Sequence, residues 1–249
     1  REGSWDRQLL AFGDPLMPLA AASALLARAR AGSDLEFARP EVVRIAALFE
    51  DSPDLAAVEA GTLDRFDGRC VSLRLGAEAT KEAVESLFDP AAGRGSVRFV
   101  HFATHGWADT GRPQFSWLLL APGPSGDPFW RTLEIFNARI PAELVVLSAC
   151  ESGLGRIVQG EGLLGLARAF FYAGATSLCA SLWSVNDEAT AGMMASFYRH
   201  LLAEQRDGGG SPLAKAEALR RAQLDLLETG GAAAHPSFWS PFVLLGDWS

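Results

Sequence analysis

Apolar residues follow two rhythms along this chain. Short apolar runs, most of them stopped by a glycine- or proline-containing turn, read as buried strands: 9–12, 70–75, 97–106, 115–121, 144–153, 176–183 and 241–245. Between them lie stretches with helical spacing. In 40–50, Val42, Val43, Ile45, Ala46 and Phe49 form a stripe behind Pro40. In 187–203, Met194, Phe197, Tyr198, Leu201 and Leu202 fall on one face. Further helices are predicted over 16–30, 78–88, 162–172 and 212–227, with one or two turns over 133–138. Gly174 stands just past the end of the helix at 162–172, where a left-handed residue is wanted. Asp207-Gly208-Gly209-Gly210 reads as a flexible break.

Strands interleaved with crossover helices imply an α/β fold: a three-layer sandwich whose mostly parallel sheet is covered by helices on both faces. A single domain over 1–249, with 49% hydrophobic residues, can bury a full core. No internal repeat or heptad interrupts it. The 30 acidic against 22 basic side chains give a net charge of −8, which argues against nucleic acid or an anionic membrane as a direct partner. The longest apolar stretch, 163–183, contains Gly165, Arg168 and Gly174 and reads as helix, turn and strand, not as a membrane span. Three cysteines (Cys70, Cys150 and Cys179) are too few for a disulfide framework and point to a reducing, cytoplasmic setting. The chain starts at Arg1 with no secretory signal, so it is expected to be a segment of a longer protein.

Two of the strand runs end in reactive side chains. The first closes on His101-Phe102-Ala103-Thr104-His105-Gly106, the second on Ser148-Ala149-Cys150-Glu151-Ser152-Gly153. In an open parallel sheet, reactive groups gather outside the carboxyl ends of the strands. If these two strands are neighbours, a base at His105 faces a nucleophile at Cys150. A thiolate attacks carbonyl carbon, whereas the thiol does so poorly. A histidine within reach raises the thiolate fraction and later protonates the leaving amine. Gly106 lets the backbone approach closely, so its amide and that of Cys150 can hold the developing oxyanion. The chemistry is that of a cysteine hydrolase, for which no metal or cofactor is expected.

Other candidates have plainer readings. Cys70 and Cys179 lie in or beside strand patterns without a companion, as inert small hydrophobes do. His101 falls inside its strand and reads as structural, His200 as a surface or boundary residue, and His235, before Pro236, stays open. The sequence has no CxxC, HExxH or GxxxxGK[ST], and Gly160-Glu161-Gly162 is too short to claim a phosphate cradle.

The ordered set of motifs resembles the CHAT domain family, caspase-like domains commonly found behind tetratricopeptide repeats in bacterial proteins. The matching words are Ala-Phe-Gly-Asp-Pro (11–15), His-Phe-Ala-Thr-His-Gly (101–106), Leu-Ser-Ala-Cys-Glu-Ser-Gly (147–153) and Gly-Glu-Gly-Leu-Leu-Gly-Leu-Ala-Arg-Ala-Phe (160–170). They continue with Ala-Ser-Leu-Trp-Ser-Val-Asn-Asp (180–187) and His-Pro-Ser-Phe-Trp-Ser-Pro-Phe-Val-Leu-Leu-Gly-Asp (235–247). The resemblance implies the caspase/separase fold, a His105–Cys150 dyad without a required acidic third member, and hydrolysis of a protein substrate. It also implies an N-terminal repeat region, or a regulatory partner, that gates the site. The rim expected to move lies between the motifs, at Asp109-Thr110-Gly111 and Gly123-Pro124-Ser125-Gly126-Asp127. Two further readings stay open: a non-catalytic signalling or interaction module with a vestigial dyad, and a different acyl transfer at the same residues.

Asp187 also carries two readings. It can serve its helix as N-terminal charge or cap. Alternatively, Leu-Trp-Ser-Val-Asn-Asp at 182–187 resembles the separase segment whose acidic residue receives a basic side chain. Asp187 would then form the base of a pocket walled by Trp183, and cleavage would follow Arg or Lys.

Overall fold

The computed structural model describes residues 7–15, 35–89, 97–109, 111–151, 161–183, 185–206 and 213–249. In chain order its elements are β1 (Arg7–Pro15), α1 (Ala38–Phe49), α2 (Asp54–Glu59), β2 (Arg65–Asp67), β3 (Val71–Gly76), α3 (Lys81–Leu87) and β4 (Val97–Trp107). A 3-10 turn (Pro113–Phe115) leads to β5 (Trp117–Leu119), β6 (Phe129–Arg131), α4 (Thr132–Asn137), β7 (Ala142–Glu151), α5 (Glu161–Ala173) and β8 (Ser177–Ser181). The chain closes with α6 (Asp187–Arg206), α7 (Lys215–Glu228), a second 3-10 turn (Gly231–Ala234), α8 (Pro236–Trp239) and β9 (Phe242–Gly246).

These strands form one sheet in the order β2-β3-β1-β4-β7-β8-β9. The central five, from β3 to β8, run parallel, while β2 and β9 are antiparallel at the edges. A short antiparallel ribbon of β5 and β6 joins the exit of β4. The central strands are apolar on both faces because both faces are covered. In β4, Phe99 and Ala103 meet Val42 and Ile45 of α1, Met194 and Phe197 of α6 and Leu219 of α7. The alternate residues Val100 and Phe102 meet Val84 of α3, Ile135 of α4 and Phe170 of α5. The Phe102 ring, fully buried, stacks on Phe12 at 5.2 Å and packs against Trp130 and Phe170 at 5.7 and 6.0 Å. Burial of such a side chain contributes about 1.5–3 kcal/mol. The α/β three-layer sandwich expected from the alternation of patterns is the observed architecture.

Several boundaries differ for local reasons. The helix expected from residue 78 begins at Lys81, because Thr80 Oγ1 accepts the Ala83 N–H at 3.1 Å and caps it. The strand expected over 115–121 is paired only from Trp117 to Leu119. Pro113 opens a 3-10 turn through Phe115, and Ser116 Oγ is taken by the Asp109 N–H at 3.0 Å. After α5, Gly174 adopts φ +115°, and its N–H donates to the Phe171 carbonyl, ending the helix as expected. Stretch 163–183 folds as helix, turn and strand, and no helix among the described residues is long and apolar enough to cross a membrane. The helix expected over 16–30 and the break at 207–210 lie outside the described residues.

Candidate functional site

β1 accompanies β4 only as far as Gly13 opposite Ala103. The pairing of β4 with β7 runs on through Thr104–Ala149, His105–Cys150 and Gly106–Glu151. Where β1 has stopped, β5 takes its place, with Leu118 opposite Gly106 and Trp117 opposite Trp107. The structure thus sets His105 and Cys150 in direct register at the carboxyl edge of adjacent parallel strands, whose separation is about 4.8 Å. His105 is half-buried. Gly106 is held by β7 on one side and β5 on the other. Positions paired in such register lie on one face of the sheet, and the neighbouring amides lie at the same edge.

Asp187 begins α6 at this same edge, but it is not the cap. Asn186 Oδ1 accepts the Ala189 N–H at 3.0 Å and caps the helix. Asp187 Oδ2 instead accepts the Phe37 N–H, at 2.8 Å, at the start of α1. Burial raises the Asp187 pKa, and the neighbouring Glu41 and Glu36 raise it further against the stabilising Phe37 N–H. No basic side chain among the described residues forms an ion pair with it. The carboxyl group is therefore held in place, partly desolvated and without a counter-ion among the described residues. Trp183, half-buried beyond β8, donates its indole N–H to the Ser237 carbonyl of α8 at 3.2 Å. Asp187 and Trp183 are thus fastened to different parts of the chain.

Sequence reasoning misses what lies beneath. His101 is wholly buried, with Nε2 2.9 Å from Glu41 Oε1 and Nδ1 3.3 Å from the Tyr198 hydroxyl. Burial pushes the Tyr198 phenol well above its usual pKa. The Tyr198 hydroxyl and the Glu41 carboxyl thus engage both ring nitrogens of His101. This network joins α1, β4 and α6 directly under the edge that carries His105 and Asp187. Two signals in the sequence mark it: a carboxylate four residues before the core residue Ile45, and a histidine inside an apolar strand.

The remaining candidates fall into ordinary roles. Burial pushes the Cys179 thiol up to about 12. Cys70 is half-buried, and its backbone N–H donates to Glu50. His200 Nε2 lies 2.8 Å from Asp225, and His235 caps α8 by accepting the Ser237 N–H. In the segments expected to form the rim, Asp109 and Asp127 make local side-chain bonds, and Thr110 lies outside the described residues. Asp109 accepts the Gly111 and Arg112 N–H groups, and Asp127 bonds Arg131 and lies 3.6 Å from Lys81.

A mostly parallel sheet, helices on both faces and an antiparallel ribbon at the exit of β4 define a caspase-like fold. Gingipain R, an Arg-specific cysteine proteinase, superimposes with a TM-score of 0.51 over 97% of this chain and 46% of its own, at 12% identity. The separase of the Saccharomyces cerevisiae separase–securin complex aligns at 0.46, also at 12% identity, over 97% of this chain and 12% of its own. The chain belongs to the CHAT domain family, whose model matches residues 3–247. Among curated proteins it is similar to tetratricopeptide repeat protein 28 of mouse (27% identical over 212 residues) and of human (26%). The match covers 70% of this chain but spans only 8% of the length of those relatives.

Proposed function

We propose that this chain is a cysteine endopeptidase that cleaves a protein substrate after a basic residue. The single observation that carries the reading is the register of His105 with Cys150 at the carboxyl edge of β4 and β7. In the proposed reaction His105 takes the thiol proton and the Cys150 sulfur attacks the scissile carbonyl. The Gly106 and Cys150 amides receive the oxyanion. His105 then returns the proton to the departing amine, and water, deprotonated by the same imidazole, releases the acyl group from sulfur. Membership of a family with a caspase-like fold supports the reading, as does the fold shared with gingipain R, itself an Arg-specific cysteine proteinase.

The basic preference rests on Asp187. A carboxylate that is partly desolvated, flanked by like charge and without a cation among the described residues gains most from an incoming guanidinium or ammonium, by charge-assisted hydrogen bonds. Trp183 is the proposed wall for the aliphatic stem. The partner that gates the site is a repeat region, in keeping with the repeat proteins among the relatives. A thiol-directed activity probe bearing Arg tests the whole: it should label Cys150, and neither Cys150→Ala nor His105→Ala should be labelled there. A chain that ignores the probe and cuts no peptide even when joined to its repeat region and activated is an interaction module instead.

A further inference from the structure

The sheet carries a second opening at the same edge, on the opposite side from Asp187. It is a shallow cleft, open to solvent, between the exit of β4 and the first turns of α5. Gly106 and Trp107 lie on one wall, Leu147, Leu163, Leu166 and Ala180 are among the apolar residues that face them, and Ser181 contributes a polar side chain. Leu147, Leu166 and Ala180 continue the core beneath α5, whereas Asp187 begins the helix that covers the other face. The cleft is lined by no charged side chain among the described residues. Its β4 wall is fixed: Trp107 is paired with Trp117 in register and packs against the cluster of Trp117 and Leu119.

Resting on the peptidase reading, we infer that this cleft receives an apolar side chain on the residue that follows the scissile bond. Two constraints lead there. The leaving amine must come within hydrogen-bond reach of His105 to be protonated. The residue that owns this amine therefore lies against Gly106 and Trp107, the residues that continue the strand past His105 and wall the cleft. Successive side chains of an extended peptide also point to opposite sides. A basic side chain directed to Asp187, on the α6 side, sends its successor to the α5 side, where the cleft opens. Apolar walls favour leucine, methionine or phenylalanine there. A carboxylate or ammonium would be desolvated without a partner and is disfavoured.

Mass-spectrometric profiling of cut sites in a proteome-derived peptide library reads both sides of the bond at once. The 249-residue chain is expected to enrich large apolar residues after the cut about tenfold over glycine or aspartate, the scale of discrimination an apolar pocket supplies. Leu163 is half-buried on the first turn of α5, so its replacement spares the core. Leu163→Phe should narrow the cleft and shift the preference to alanine and glycine. Leu163→Glu should favour lysine or arginine after the cut. In both variants the basic preference before the cut should persist. Cleavage with no apolar enrichment, or an identical profile in all three proteins, overturns the subsite and leaves the peptidase reading standing. No cleavage together with no labelling of Cys150 overturns both.

Discussion

Glu41 and His101 meet at 2.9 Å in the core, with 1% and 0% of their surfaces exposed, and the Tyr198 hydroxyl completes the contact from the other ring nitrogen. One residue opens α1, another sits in the middle of the central strand and the third lies on α6, so the trio fixes the two helices against β4. Removing one member leaves a buried polar group unpaired, which is costlier than removing both. Glu41→Ala and His101→Ala are each expected to destabilise the chain by about 3 kcal/mol. The double replacement should cost less than the sum of the two, as measured in a double-mutant cycle by chemical denaturation.

Asp187→Asn is expected to stabilise the chain at neutral pH. The folded carboxyl has a raised pKa, so the folded state binds its proton more tightly than the unfolded state does. Stability therefore falls as pH rises from the unfolded value of about 3.8 through the raised folded value, and the asparagine variant escapes this loss. The amide oxygen can still accept the Phe37 N–H. Thermal melts across that window should converge for the two proteins at low pH and separate above it. The same variant should lose cleavage after Arg and Lys selectively, and an equal loss on every substrate would contradict the specificity role.

Cys150→Ala should abolish cleavage and probe labelling while moving the melting temperature little, since the residue lies at the carboxyl edge of β7, one position before its end. Residual cleavage at the parent rate would refute Cys150 as nucleophile. Cys179 should stay unmodified by thiol reagents in the folded state, because burial holds its thiol up to about 12.

At the far edge of the sheet, Asp67 supports β2 against β3. Burial raises its pKa, but hydrogen bonds from Ser72, Arg65 and Arg74 outweigh this and hold it at about 2. A depressed acid contributes stability above its unfolded pKa and loses it as pH falls through the folded value. Asp67→Asn should remove that part of the acid sensitivity, at a cost of about 2 kcal/mol or less at neutral pH, read from acid unfolding followed by circular dichroism.

Much of this molecule is legible in its sequence where a period is long enough to count. The stripe of Met194, Phe197, Tyr198, Leu201 and Leu202 marks α6, and all five side chains are buried. Strand exits were marked by Gly76 and Gly106, and a helix end by Gly174. The short elements β2, β6 and α2 show no period and go unseen. Pairing is beyond local pattern: nothing within 97–106 says that its neighbours are 9–12 and 144–153. The proposed pairing of His105 with Cys150 had to assume that adjacency. Asp187 illustrates the limit most clearly, since its neighbour Asn186 took the capping role and its own partner, Phe37, belongs to a distant part of the chain.

That last separation, 150 positions between Phe37 and Asp187, has a bearing on biosynthesis. A chain made from its amino end has β4 and β7 available to pair as soon as Glu151 has emerged, with Phe37 already waiting on α1. The acidic residue comes 36 positions after Glu151, behind α5 and β8, and only then does the Phe37 amide find its acceptor. A nascent domain thus holds both proposed reacting residues before it holds the carboxylate that would choose their substrate. Discrimination is the last property it acquires.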